Sequence, residues 1–130
     1  MFCFKGNNYV IAEFDLDSAR KFNDCVQAGP LFVRDGQVRY SQNGEVSIDE
    51  EKLTKSNQMQ SFVCTTDGKE FVMGVSTEMH LDVFAHLVLE KLHCANALRL
   101  TSYLTTGLYF SQKLVGKDDL PLTSVIGIFK

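Results

Sequence analysis

Residues 25–38 place two backbone reversals around one short apolar strand: Cys25-Val26-Gln27-Ala28-Gly29-Pro30-Leu31-Phe32-Val33-Arg34-Asp35-Gly36-Gln37-Val38. Gly29 frees the backbone just before Pro30 fixes its own φ, which makes a corner. Leu31, Phe32 and Val33 then read as a strand, and Asp35-Gly36 separates 31–34 from 37–40 as a two-residue hairpin turn does. A helix cannot run through this region. The chain is therefore committed to hairpins early, and the same turn chemistry recurs at Gly6-Asn7-Asn8 and at Asp67-Gly68.

Strands are expected at 2–5 and 9–15 around the first turn. Asp17 or Ser18 is placed to cap a helix running to about residue 27, ended by Gly29-Pro30. Residues 41–56 are polar, with Asn43-Gly44 as a turn, and read as a surface loop. A second hairpin spans 60–65 and 70–76; its second arm, Phe71-Val72-Met73-Gly74-Val75, is almost continuously apolar and reads as a central strand. The best helix covers 79–93. Leu81, Phe84, Ala85, Val88, Leu89 and Leu92 fall at i, i+3, i+4, i+7, i+8 and i+11, with Ser76 or Thr77 as the cap. Further strands are expected at 96–100, 108–113 and 123–129. The pattern is α+β: a mixed, largely antiparallel sheet of hairpins packed against one long amphipathic helix, plus a short N-terminal helix. With 130 residues and no repeat or linker, it forms one domain over residues 1–130.

The net charge of -3 and the lack of a basic stripe exclude broad binding to extended nucleic acid. No stretch is long enough to span a bilayer, so no membrane partner is expected. Cys3, Cys25, Cys64 and Cys94 lack zinc-ribbon spacing and lie among apolar residues, which favours buried free thiols; two disulfides are the alternative for an exported chain. The opening Met1-Phe2-Cys3-Phe4-Lys5-Gly6 has no basic segment before a long apolar run, so a cytoplasmic protein is expected.

Standard catalytic motifs are missing: there is no GxSxG elbow, P-loop or GxGxxG. Asp82, His86, Glu90 and His93 share one face of the main helix. Their spacing can serve a metal, but it equally makes a solvated face with Asp82–His86 and Glu90–His93 contacts, and no metal or cofactor is expected. Thr101, Ser102, Tyr103, Thr105 and Thr106 follow a strand and carry hydroxyls suited to sugar or phosphate oxygens, or to turns. Lys52, Lys55, Asn57 and Gln58 precede the second hairpin as anion contacts or as an exposed loop.

Four segments together resemble the phosphodiester glycosidase family, to which the uncovering enzyme belongs. They are Gln27-Ala28-Gly29-Pro30 with its strand and Asp-Gly turn, Thr66-Asp67-Gly68-Lys69 with 71–76, the helix running into Cys94-Ala95-Asn96-Ala97-Leu98-Arg99-Leu100, and the closing Val125-Ile126-Gly127-Ile128-Phe129. The resemblance covers about residues 23–130 and implies that family's scaffold. Where the family has an Asp-Gly-Gly corner bearing a catalytic acid, this chain has Thr101-Ser102-Tyr103. The family's Arg has no counterpart around Gln58-Met59-Gln60, and its Asn-Gly-Gly-Phe-like segment is missing. Glycoside cleavage needs a positioned proton donor, which a threonine does not supply.

The resemblance therefore implies a shortened, non-catalytic binding module for a sugar phosphate, nucleotide or related phosphodiester. Gly29, Pro30, Thr101, Ser102, Tyr103 and Thr105 would line its pocket, with Arg34 or Arg99 as anion contacts. The alternatives are a hydrolase using Asp82, His86 or Glu90, and an interaction, inhibitor or assembly domain that binds a protein partner or forms an oligomer.

Overall fold

Turn chemistry sets the register of the strands. The computed structural model describes residues 1–39, 57–102, 107–110 and 113–116, with side chains described as far as Leu100. Strands β1 (Phe2–Lys5) and β2 (Asn8–Ile11) fold back on each other in antiparallel register, from Phe2 opposite Ile11 to Lys5 opposite Asn8. The helix expected from residue 17 or 18 to about 27 is only the single turn α1 (Leu16–Ala19). Asp15 rather than Asp17 or Ser18 caps it, its carboxylate accepting from the Ser18 N–H at 2.9 Å. The turn buries no residue, so nothing rewards its extension. The chain instead forms β3 (Asp24–Val26), which pairs with β1 and gives a sheet ordered β2-β1-β3.

The Gly29–Pro30 peptide is cis, and the chain enters β4 (Leu31–Arg34). Asp35 and Gly36 take φ of 50° and 69°, the mirror-image turn that an Asp-Gly pair favours, and lead into β5 (Gln37–Val38). The second hairpin joins β6 (Gln60–Thr66) to β7 (Phe71–Val75). Its left-handed residue is Lys69, at φ 63°, and the loop closes through Thr66 N–H to Glu70 O at 2.9 Å.

Helix α2 (Leu81–Leu92) is 12 residues long, shorter at both ends than the expected 79–93. Neither Ser76 nor Thr77 caps it. The N-cap is His80, with no side-chain hydrogen bond, and the Ser76 hydroxyl, four residues upstream of it, accepts the Gln60 N–H at 3.0 Å. His93 ends the helix at φ 52°, donating its N–H to Val88 O. Then come β8 (Cys94–Ser102), longer than expected, and a hairpin of β9 (Gly107–Phe110) and β10 (Lys113–Gly116) where one strand was expected. The expected loop at 41–56 lies outside the described residues, as does the expected strand at 123–129.

The large sheet runs β5-β4-β8-β6-β7, every pair antiparallel. The apolar β7 is at its edge, not its centre; the middle position belongs to β8. What makes β7 apolar is cover on both faces rather than strands on both sides. Val72 packs with the helix-side core, whereas Phe71 and Met73 pack with the opposite one. On the helix side, Leu81, Phe84, Ala85 and Val88 meet Phe32, Phe62 and Ala97, and the Phe84 ring contacts those of Phe62 and Phe32. On the other face, Val63 and Leu98 meet Phe2 and Ile11 of the small sheet, and Phe2 and Tyr9 flank Phe71. The order is therefore small sheet, large sheet, helix. Burying each of these large apolar side chains stabilises the fold by about 1.5–3 kcal/mol relative to exposure.

The cysteines are not free thiols. Cys3 is bonded to Cys25 and Cys64 to Cys94, with Cα–Cα distances of 4.1 and 5.8 Å. Their surroundings are as apolar as expected for Cys3, Cys64 and Cys94. Strand pairing, however, sets Cys3 directly opposite Cys25, while Cys94 follows α2 back beside β6. No helix among the described residues is long and apolar enough to cross a membrane.

Candidate functional site

The register of the large sheet divides the expected site residues into two groups. Because β4 runs antiparallel to β8, Pro30 lies beside Arg99, and the Arg99 N–H donates to Pro30 O at 3.1 Å. Beyond Arg99, Thr101 faces Ser61 and Ser102 faces Gln60 across the β6–β8 ladder. Gly29, Pro30, Arg99, Thr101 and Ser102 thus gather at one end of the sheet, whereas Tyr103 and Thr105 lie outside the described residues.

Arg99 is only 7% exposed, and desolvation lowers its guanidinium pKa from the usual value. Two polar residues stand toward the same end of β6: Gln58, read from the sequence as an anion contact or part of an exposed loop, and Gln60, absent from the expected set. Gln60 is fully buried and donates its Nε2 to Gln58 O at 3.2 Å. The carboxamide oxygens of both Gln58 and Gln60 are buried without a hydrogen-bond partner, a costly condition for an acceptor. A glutamine in a run of strand residues gives no sequence sign of such burial; only its alternation in phase with Phe62 and Cys64 hints at it.

Arg34 lies at the other end of β4. Its Nη1 is 2.8 Å from Glu13 Oε1 and its Nε 3.5 Å from Asp35 Oδ2. It stands on the wall of a cleft of about 520 Å³ between the small sheet with α1 and the β4–β8 pair. Its lining is apolar at Val10, Ile11, Phe22 and Leu31 and polar at Asp15, Lys21 and Asn96. Asn96 Oδ1 accepts the Asp35 N–H at 3.2 Å and so braces the turn. An anion reaching Arg34 must displace two carboxylates, so this cation is poorly placed for a phosphodiester.

Asp82, His86 and Glu90 sit on the exposed face of α2, lining a depression of about 430 Å³ with Val83, Leu87 and Lys91. His86 Nδ1 meets the Asp82 carbonyl at 2.8 Å, not its carboxylate, and Asp82 Oδ1 accepts the Val83 N–H at 2.7 Å. The expected Asp82–His86 side-chain contact is thus replaced by bonds to backbone. No cluster of metal-ligating side chains exists among the described residues.

The chain matches no family model and no curated protein. It is similar in fold to a solved structure described as a hypothetical protein from Synechocystis, with a TM-score of 0.62 at 20% identity. The alignment covers 78% of this chain but 20% of that one, so this chain spans about a fifth of its structural neighbour. That likeness establishes a shared fold.

Proposed function

We propose that this domain is a non-catalytic binding module on a shortened phosphodiester-glycosidase-like scaffold, recognising a sugar phosphate, nucleotide or related phosphodiester. The supporting observation is the convergence of Pro30, Arg99, Thr101 and Ser102 at one end of the large sheet. Arg99 supplies the cation, the register sets Thr101 and Ser102 beside it on β8, and no acidic residue stands opposite Gln60 or Ser61 on that strand. Without a proton donor there, a bound diester is held rather than cleaved. The test is native mass spectrometry and thermal shift with a panel of nucleotides, sugar phosphates and cyclic phosphodiesters. A ligand that stabilises the protein, is recovered unchanged and is lost in Thr101→Ala/Ser102→Ala supports the reading. Turnover of that ligand overturns it in favour of a hydrolase.

A second reading, an interaction domain, is favoured by Val83 and Leu87 on the outer face of α2, which are 55% and 42% exposed. Absence of any ligand together with a stable oligomer selects it. As to compartment, both cysteine pairs being closed supports an oxidising one in place of the cytoplasm expected from the sequence.

A further inference from the structure

The two disulfides occupy opposite environments. Cys64 and Cys94 are both fully buried in the core beneath α2. Cys3 is buried as well, but Cys25 is exposed on β3, its Sγ resting 3.7 Å from Ala19 O. Thiol–disulfide exchange requires a thiolate to reach one of the two sulfurs, so only the Cys3–Cys25 bridge can be attacked while the protein stays folded.

That bridge holds a lightly anchored part of the described chain. Strand β3 has three residues, and β1 is its only partner among the described strands. The preceding α1 buries nothing, and one further backbone bond, Asn23 N–H to Phe4 O at 3.2 Å, ties the segment to β1. Yet residues 15–26 supply Ser18, Lys21 and Phe22 to one side of the cleft whose opposite side carries Leu31, Arg34 and Asn96. The order of that wall depends on few contacts and one covalent bond.

We propose that Cys3–Cys25 is a reducible latch that keeps the wall of this cleft closed, while Cys64–Cys94 is a permanent staple. A dithiol reductant is the co-reactant. Its thiolate attacks Cys25 Sγ, the Cys3–Cys25 bond breaks, and Cys3 leaves as a thiolate that takes up a proton. The second thiol of the reductant, deprotonated, then attacks its own sulfur in the mixed disulfide and releases Cys25. The reductant ends as a disulfide, and the protein has gained two electrons and two protons. With the latch open, residues 15–26 keep only short strand pairing, and local opening of this segment precedes any loss of the core.

The experiment treats the folded protein with increasing dithiothreitol, alkylates free thiols, maps the labelled peptides and follows amide hydrogen exchange. The expected result is labelling of Cys3 and Cys25 at reductant levels that leave Cys64 and Cys94 unlabelled. Exchange should rise at least tenfold in 15–26 with β6 and β8 still protected. The Cys3→Ala/Cys25→Ala variant should reproduce that exchange pattern without reductant. Labelling of all four cysteines together, or of Cys64 and Cys94 first, overturns the proposal. So does selective reduction that leaves exchange in 15–26 unchanged, since the bridge would then latch nothing.

Discussion

Replacing Gly74 by alanine tests how the large sheet is packed at its β6–β7 edge. Gly74 faces Phe62 across the β6–β7 pair, and a Cβ added there would lie 2.9 Å from Phe62 Cε1 and 3.2 Å from Cζ. Comfortable carbon–carbon contact needs about 3.5 Å or more. The ring cannot easily give way: Phe62 is 4% exposed and stands edge-on to Phe84 with centroids 5.1 Å apart. Overpacking of this kind costs about 1–3 kcal/mol. Loss of glycine's freedom in the unfolded chain returns about 0.4–1 kcal/mol. Gly74→Ala should therefore destabilise by about 1–2 kcal/mol, a fall in Tm of several degrees. Urea unfolding of wild type, Gly74→Ala, Phe62→Leu and the double variant measures it. Because leucine vacates the ring's edge, the alanine should cost about 1 kcal/mol less in the Phe62→Leu background. A neutral or stabilising Gly74→Ala, or equal losses in both backgrounds, would refute the contact as the cause.

Three other outcomes follow from local geometry. Lys69 and His93 hold left-handed backbone at φ 63° and 52°, so Lys69→Gly and His93→Gly should each raise stability by about 0.5–1 kcal/mol in urea unfolding, with a loss at either site contradicting the strain. Removing the buried Cys64–Cys94 bridge, which spans 30 residues, should cost about 3–4 kcal/mol by chain entropy, read from the urea midpoint of Cys64→Ala/Cys94→Ala; an unchanged midpoint argues against it. The Asp15 carboxyl is held below its ordinary value of 3.8, chiefly by the Ser18 hydrogen bonds. Its contribution to α1 is complete above that value and is lost as pH falls through the lower folded pKa. Amide exchange in 18–22, corrected for its intrinsic pH dependence, should accordingly loosen only below about pH 3.8, and loosening between pH 5 and 7 would contradict this assignment.

Local chemistry was legible in the chain and distant pairing was not. Asp35-Gly36, the stripe from Leu81 to Val88 and the apolar β4 each act through near neighbours, and each forms about where the sequence places it. The failures share one cause. The helix expected after Asp17 or Ser18 gives way to β3 beside β1, which its own residues do not announce. The four thiols read as free because the strand pairing that joins them is invisible along the chain. The apolar run of β7 suggested a middle strand, yet burial on two faces and pairing on two sides leave the same mark in sequence. For the site, the proximity of Pro30 to Arg99 depends on β4–β8 register and could not be read from residues 29–34 alone. The burial of Gln60 shows only in its alternation with Phe62 and Cys64, since its own side chain carries no apolar signal.

Strand β8 lies between two hairpins that were made long before it. Leu31 must wait for Leu98, and Val63 for the same residue. Hairpins such as β4–β5 and β6–β7 can form within microseconds of leaving the ribosome, but the sheet cannot close until residues 94–102 arrive. Until then the inner edges of β4 and β6 are open rows of backbone donors and acceptors, the arrangement that invites pairing with another chain. A pause that holds residues 94–102 inside the ribosome while β4 and β6 are already outside would therefore prolong an association-prone stage, while a pause after those residues have emerged would not.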